Sequence, residues 1–190
     1  MKKYINVIGQ NAKKASLKKI NRKLKNRVLK KYLLLINKEK KFILGANKKD
    51  VNLAIRKGLK SNLINRLALD EKKLEDIKKS LAKIIKLKDP VDNILEKWTR
   101  PNGLHISKVT IPIGVVGVIY ESRPNVTSDV ASLCFKSGNA VILKGGSEAL
   151  NTNKILAKLF RKSLRENRVN ENFIQFIDTK NRKIVDLMLS

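Results

Sequence analysis

Apolar side chains in the first half of the chain fall at helical spacing: Leu24, Val28, Leu29, Tyr32, Leu33 and Leu35 share one face of an amphipathic helix. Leu63 to Leu69 is a second short apolar stretch. Asp70 and Glu71 then open a further helix that runs through Leu74, Ile77, Leu81 and Ile84 to Ile85, and Asp89-Pro90 ends it. Lysines and arginines occupy the outer positions of these helices, so most of the charge is a solvated face. From Ile94 the period becomes extended. Ile94 to Trp98 and Leu104 to Ile111 flank the turn Arg100-Pro101-Asn102-Gly103, which predicts a β-hairpin.

Beyond the hairpin the pattern changes again. Between Pro112 and Ile142 the only charged residues are Glu121, Arg123, Asp129 and Lys136, so this region is built for burial. Val115 to Tyr120 is a continuous apolar, β-branched run, as in a parallel strand covered on both faces. Pro124 and Asn125 break it, and Thr127 is expected to cap a helix that places Val130, Leu133 and Cys134 on one face. Ser137-Gly138-Asn139 ends that helix, Ala140 to Leu143 forms the next strand, and Lys144-Gly145-Gly146 turns sharply. Ser147 is then expected to cap another helix, with Glu148 in its first turn, where a carboxylate suits the positive end of the dipole. The order is strand, helix, strand, helix, with each loop at a strand's carboxyl end. Open α/β sheets bind ligands at that edge, and helix beginnings there offer N–H groups to anions such as a pyrophosphate. Neither G-x-G-x-x-G nor G-x-x-x-x-G-K-[ST] occurs, so Gly145-Gly146 reads equally well as a tight turn with no ligand.

Composition raises a rival. A net charge of +27 would ordinarily indicate a nucleic-acid binder, because neutralising phosphates releases counterions. The positive charges are instead scattered over amphipathic helices, aromatics make up only 5% of the chain, and no helix-turn-helix, RRM or zinc-finger spacing is present. Lys, Asn and Ile are in joint excess and share A/T-rich codons, which accounts for the basicity as compositional drift; nonspecific affinity for acidic surfaces remains. One cysteine, Cys134, excludes an internal disulfide and a cysteine-rich metal site. Tyr4 to Gly9 is too short an apolar run for a signal peptide, and no stretch approaches the ~20 apolar residues of a membrane helix. The expected compartment is the cytoplasm, with no membrane partner. His105 has no carboxylate or cysteine spaced to work with it and is assigned no role.

The motif PIGVVGVIYESRPNVT followed by SGNAVILKGGSEALNTN resembles γ-glutamyl phosphate reductase, the glutamate-5-semialdehyde dehydrogenase of the aldehyde dehydrogenase superfamily. Ala46 to Val51 and Asn65 to Leu69 resemble that family's N-terminal helical region, and Phe173 to Ile177 with Asp178 its next strand. The resemblance implies an α/β fold: a helical region over residues 1–90, a β-hairpin over 91–111 comparable to the superfamily's oligomerisation ribbon, and a partial NADP-binding, Rossmann-like parallel sheet over 112–190. It also implies NADPH-dependent reduction of L-glutamate 5-phosphate to the semialdehyde in proline biosynthesis, by way of a cysteine thioester. Carried over by motif, Asn125 matches the asparagine whose amide holds the oxyanion. Lys144, with Gly145, Gly146, Ser147 and Glu148, matches the positions around the adenosine ribose, and Ser122, Arg123 and Pro124 line the turn beneath the cofactor. Arg123 also has the bidentate chemistry to meet the substrate's phosphate. On its residue type alone, Asn125 reads as an Asx-turn residue before a helix.

One departure counts against unaided catalysis. The family's nucleophilic cysteine lies downstream of Ser190, and Cys134 falls within a helix as a small buried hydrophobe. A sheet that lacks its later strands is also expected to expose an edge. Three readings therefore stand: the cofactor-binding portion of such a reductase, working as a homo-oligomer or paired with a separate C-terminal fragment; a non-catalytic NADPH-binding remnant or partner subunit; and a basic nucleic-acid binder.

Overall fold

A computed structural model of the chain describes residues 1–189. Five helices come first: α1 (Lys2–Ser16), α2 (Arg22–Lys38), α3 (Lys40–Arg56), α4 (Ser61–Leu67) and α5 (Glu71–Lys86). The hairpin β1 (Ile94–Thr99) and β2 (His105–Val109) follows, then β3 (Val115–Ile119), α6 (Pro124–Lys136), β4 (Ala140–Lys144), α7 (Leu150–Glu166), β5 (Ile174–Phe176) and α8 (Lys183–Leu189). β3, β4 and β5 form a parallel sheet in that order, so both loops that follow β3 and β4 lie at one edge.

Helices cover both faces of this sheet. On one side, Phe135 of α6 packs edge-on against Phe160 of α7 (centroids 5.8 Å apart) and against Phe173 (5.6 Å), while Tyr32 of α2 stacks on Phe160 at 4.4 Å. All four are at most 1% exposed, and each ring contact adds about 1 kcal/mol to the area it removes from water. On the other side, Ile5 and Ile8 of α1 meet Ile142 of β4 together with Ile184 and Met188 of α8. β4, the central strand, is buried almost throughout, as its sequence predicts. β3 is not buried on both faces: it sits at the sheet's edge, and Ile119 is 45% exposed. Ile111 and Ile113, on the approach to β3, are more exposed still.

Three buried polar residues fix how the helices meet the sheet. Asp50 of α3 accepts hydrogen bonds from the backbone N–H of Asn151 (3.3 Å) and Thr152 (2.8 Å), and from the Asn151 amide (2.8 Å) and the Thr152 hydroxyl (2.7 Å). A carboxylate thus caps the positive end of α7 from another helix. Lys25 departs from the solvated pattern of most lysines; it is 1% exposed and donates to both oxygens of Asp89, at 2.9 and 3.0 Å, tying the start of α2 to the segment after α5. Lys136, also buried, donates to Asn26 at 2.6 Å and to the Ile85 carbonyl at 3.0 Å.

Two expected helix starts are corrected. α6 begins at Pro124, where a fixed φ and a missing N–H suit the first helical position, and Thr127 lies inside the helix, buried. Its core-facing residues are Thr127, Ser128, Ala131 and Phe135, while Leu133 is 47% exposed. Ser147 caps no α-helix; it opens a 3-10 turn, Ser147–Ala149, and α7 starts at Leu150. The end of α6 is as expected. Gly138 takes φ 77°, and the Asn139 N–H reaches back to the Cys134 carbonyl at 2.8 Å, closing the helix with a Schellman turn.

Candidate functional site

Parallel pairing of Ile119 with Lys144 carries β3 and β4 to the same height, so the loops Tyr120–Arg123 and Gly145–Gly146 leave the sheet side by side. The two loops are bonded to each other. Ser122 Oγ donates to Glu148 Oε2 at 2.6 Å, and Ser147 Oγ donates to the other carboxylate oxygen at 2.7 Å. Burial opposes ionisation of Glu148, but these hydrogen bonds and the positive charge of Arg182 outweigh it and hold the carboxyl below its ordinary value.

The glycines are required by space rather than by an unusual turn. A Cβ on Gly146 would collide with Ser122, and one on Gly145 would collide with the Asn153 amide and crowd the Tyr120 ring. Neither glycine has positive φ, so the turn expected there does not depend on a left-handed backbone; the two glycines allow close approach of two loops. Beneath them, the Thr127 hydroxyl donates to Asn153 Oδ1 at 2.9 Å and accepts from Tyr120 Oη at 2.6 Å. Burial pushes the Tyr120 phenol up to about 12 despite that hydrogen bond, so it stays a neutral structural donor. Lys144 is buried, and its ammonium donates to the Gly145 carbonyl at 2.8 Å. Burial lowers the lysine's pKa, and the Glu148 charge opposes that.

Three clefts run along this edge and share walls. A cleft of about 430 Å³ is lined by Tyr120, Lys144 to Glu148, Lys180 and Arg182. It shares Gly146, Glu148 and Arg182 with a second, of about 350 Å³, that adds Ser122, Arg123, Glu121 and Arg66. Arg66 also lines a third, of about 190 Å³, with Pro124, Asn125 and Lys73. The outcome is one interrupted groove with Lys144 and Glu148 at one end and Asn125 at the other. Asn125 is exposed, and its amide donates to Asp129 at 3.4 Å, one turn along α6. Arg123 lies 3.6 Å from Glu121, which also accepts from Arg66 at 3.2 Å.

Every residue singled out by motif lies on this groove, whereas the two helix beginnings do not serve it as expected. Thr127 is turned into the core, and the first N–H groups of α7 are already held by Asp50, so α7 offers no open cradle to a phosphate. Sequence reasoning missed Arg66, Lys180 and Arg182. In a chain with 43 lysines and arginines, a further cation carries no contrast. The loop after β5, at the carboxyl edge of the next strand, was the one signal available for Lys180 and Arg182.

No protein-family model matches the chain. γ-Glutamyl phosphate reductase of Clostridium tetani is 44% identical over all of this chain and 45% of its own length; that of Caldanaerobacter subterraneus is 46% identical over 97% of the chain and 45% of its own. The crystal structure of the Thermotoga maritima reductase superposes with a TM-score of 0.91 at 39% identity, covering 94% of this chain and 44% of that one. The chain is related to the γ-glutamyl phosphate reductases, over their N-terminal portion. It spans less than half the length of these relatives. A Listeria monocytogenes aldehyde dehydrogenase, only 10% identical, still superposes at 0.71, so the α/β fold is that of the wider aldehyde dehydrogenase group. Among the described residues no cluster of acidic, histidine or cysteine side chains could hold a metal, and no helix is long and apolar enough to cross a membrane.

Proposed function

We propose that this chain supplies the cofactor-binding part of a γ-glutamyl phosphate reductase, which reduces L-glutamate 5-phosphate with NADPH to the semialdehyde in the cytoplasm. The observation that carries this reading is the row of three clefts with shared walls, which places an oxyanion-type amide donor at one end and a built, hydrogen-bonded polar cluster at the other.

The residues fit a phosphorylated dinucleotide. Lys144 and Glu148 offer one ammonium and one carboxylate to a ribose, and the Gly145-Gly146 backbone allows an extended ligand to lie close. NADPH, once bound, supplies the hydride. The chain's own part is binding and orientation. An amide nitrogen has two hydrogens; Asp129 takes one from Asn125, and the second is left for a developing oxyanion in the cleft. Arg123 and Arg66 give the middle of the groove a positive rim suited to an acidic substrate, at present shared with Glu121.

Cys134 does not supply the thiolate. It is partly buried within α6, and burial raises its thiol to about 11, which leaves very little nucleophile near neutral pH. Turnover on this reading needs a cysteine from outside these 190 residues, and a C-terminal fragment that carries one would pair with the exposed edge of β3. The assay is phosphate-dependent oxidation of glutamate 5-semialdehyde, followed as NADPH formation, with the chain alone and mixed with a cysteine-bearing C-terminal fragment of a relative. Activity only in the mixture is expected. Silence in both would favour a non-catalytic remnant.

A further inference from the structure

We propose that Arg182 is the specificity residue for the ribose phosphate that distinguishes NADPH from NADH; this rests on the cofactor reading of the groove and deepens it. Arg182 follows β5, the third parallel strand, and its guanidinium reaches the wall common to the two clefts that contain Glu148. It is exposed and, among the described residues, has no hydrogen bond or ion pair to its side chain, although its charge acts on both Glu148 and Lys144. Most acidic groups near this edge are engaged: Glu148 by two serines, Glu121 by Arg66 and Arg123, and Asp178 by Lys154. An unpaired guanidinium beside a ribose-type carboxylate is an open bidentate site for a phosphate.

The balance of charge in that cleft points the same way. Its lining carries Lys144, Lys180, Arg182 and Lys183 against Glu148 and Asp186, an excess of positive charge. A carboxylate by itself would favour a free 2′-hydroxyl and repel a phosphate. Here Glu148 is tied down on both oxygens by Ser122 and Ser147, so less of its charge is left to face an incoming phosphate. Helix N-termini do not do this work, since Asp50 occupies that of α7. Lys144 cannot do it alone, because its ammonium is buried and bonded to the Gly145 carbonyl.

The test is calorimetric titration of the full chain, and of its Arg182→Ala and Arg182→Lys variants, with 2′,5′-ADP and with 5′-AMP, which differ only in the 2′-phosphate. The wild-type chain is expected to bind 2′,5′-ADP on the order of tenfold more tightly than 5′-AMP. Arg182→Ala should erase that ratio while leaving 5′-AMP affinity unchanged, and Arg182→Lys should restore part of it. Unchanged 5′-AMP affinity also shows that the variant is folded. Retention of the full ratio in Arg182→Ala, or an equal loss for both nucleotides, would overturn the assignment and leave the cofactor reading standing. If the wild-type chain bound neither nucleotide, both the assignment and the cofactor reading would fall.

Discussion

Asp50 lines none of the three clefts, yet it fixes where the ligand-facing loop can be. Its carboxylate collects four donors from the start of α7, the element that follows Glu148 directly. Replacing it with alanine would leave those donors buried without an acceptor, a cost of about 3 kcal/mol. Urea denaturation should therefore show Asp50→Ala markedly less stable than wild type; a change within experimental error would mean that water or another group satisfies α7. Glu148 makes a pH prediction. Its folded pKa lies below the ordinary carboxyl value of 4.5, so the stability it lends is present above that value and is lost as pH falls through the folded one. The stability difference between wild type and Glu148→Gln should be measurable at pH 7 and shrink as the pH falls below 4.5. Cys134, with a thiol at about 11, should react with iodoacetamide at neutral pH on the order of a hundredfold more slowly than an exposed cysteine; rapid labelling of the folded chain would refute its burial.

Among the elements, legibility followed locality. The helix from Glu71 could be read because Asp70 caps it through the Lys73 N–H at 2.7 Å, and the hairpin could be read because its turn residues sit between two extended runs. Thr127 and Ser147 look like caps of the same kind, but side chains claim their hydroxyls instead: Asn153 and Tyr120 take the first, and the adjoining Glu148 the second. No local pattern announces that Asp50, a hundred positions earlier, caps α7. The motif residues line the clefts, but the reason for Gly145 and Gly146 was not legible, because it depends on what faces them. That reason is testable. Gly146→Ala drives a methyl into Ser122 and must push the two loops apart. NADPH affinity should fall at least tenfold with a smaller loss of thermal stability; unchanged affinity would mean that the loop contact does not shape the site.

For the whole molecule, the dominant fact is an α/β layer closed on its faces and, among the described residues, open at both edges, β3 and β5. α1 and α8 cover one side, and α6 and α7 the other, but among the described residues no strand pairs with the outer side of β3. An unpaired strand preceded by exposed Ile111 and Ile113 is a ready template for another chain. A sheet that lacks its later strands is expected to expose such an edge, but the sequence gives no indication of what covers it. If the partner in the proposed enzyme pairs there, backbone amides of β3 should exchange with deuterium quickly in the chain alone and become protected on mixing with the C-terminal fragment. Equal exchange in both samples would place the contact elsewhere. The charge of +27 acts at the same scale: it will draw the chain to any polyanion, with an affinity that collapses as salt is raised. Saturable cofactor binding must therefore be separated from that background. Fluorescence titration of the full chain with NADPH at physiological salt does so. The account predicts one saturable site per chain, displaced by 2′,5′-ADP and weakened by Gly146→Ala. A signal that never saturates, or that heparin displaces while 2′,5′-ADP does not, would contradict it.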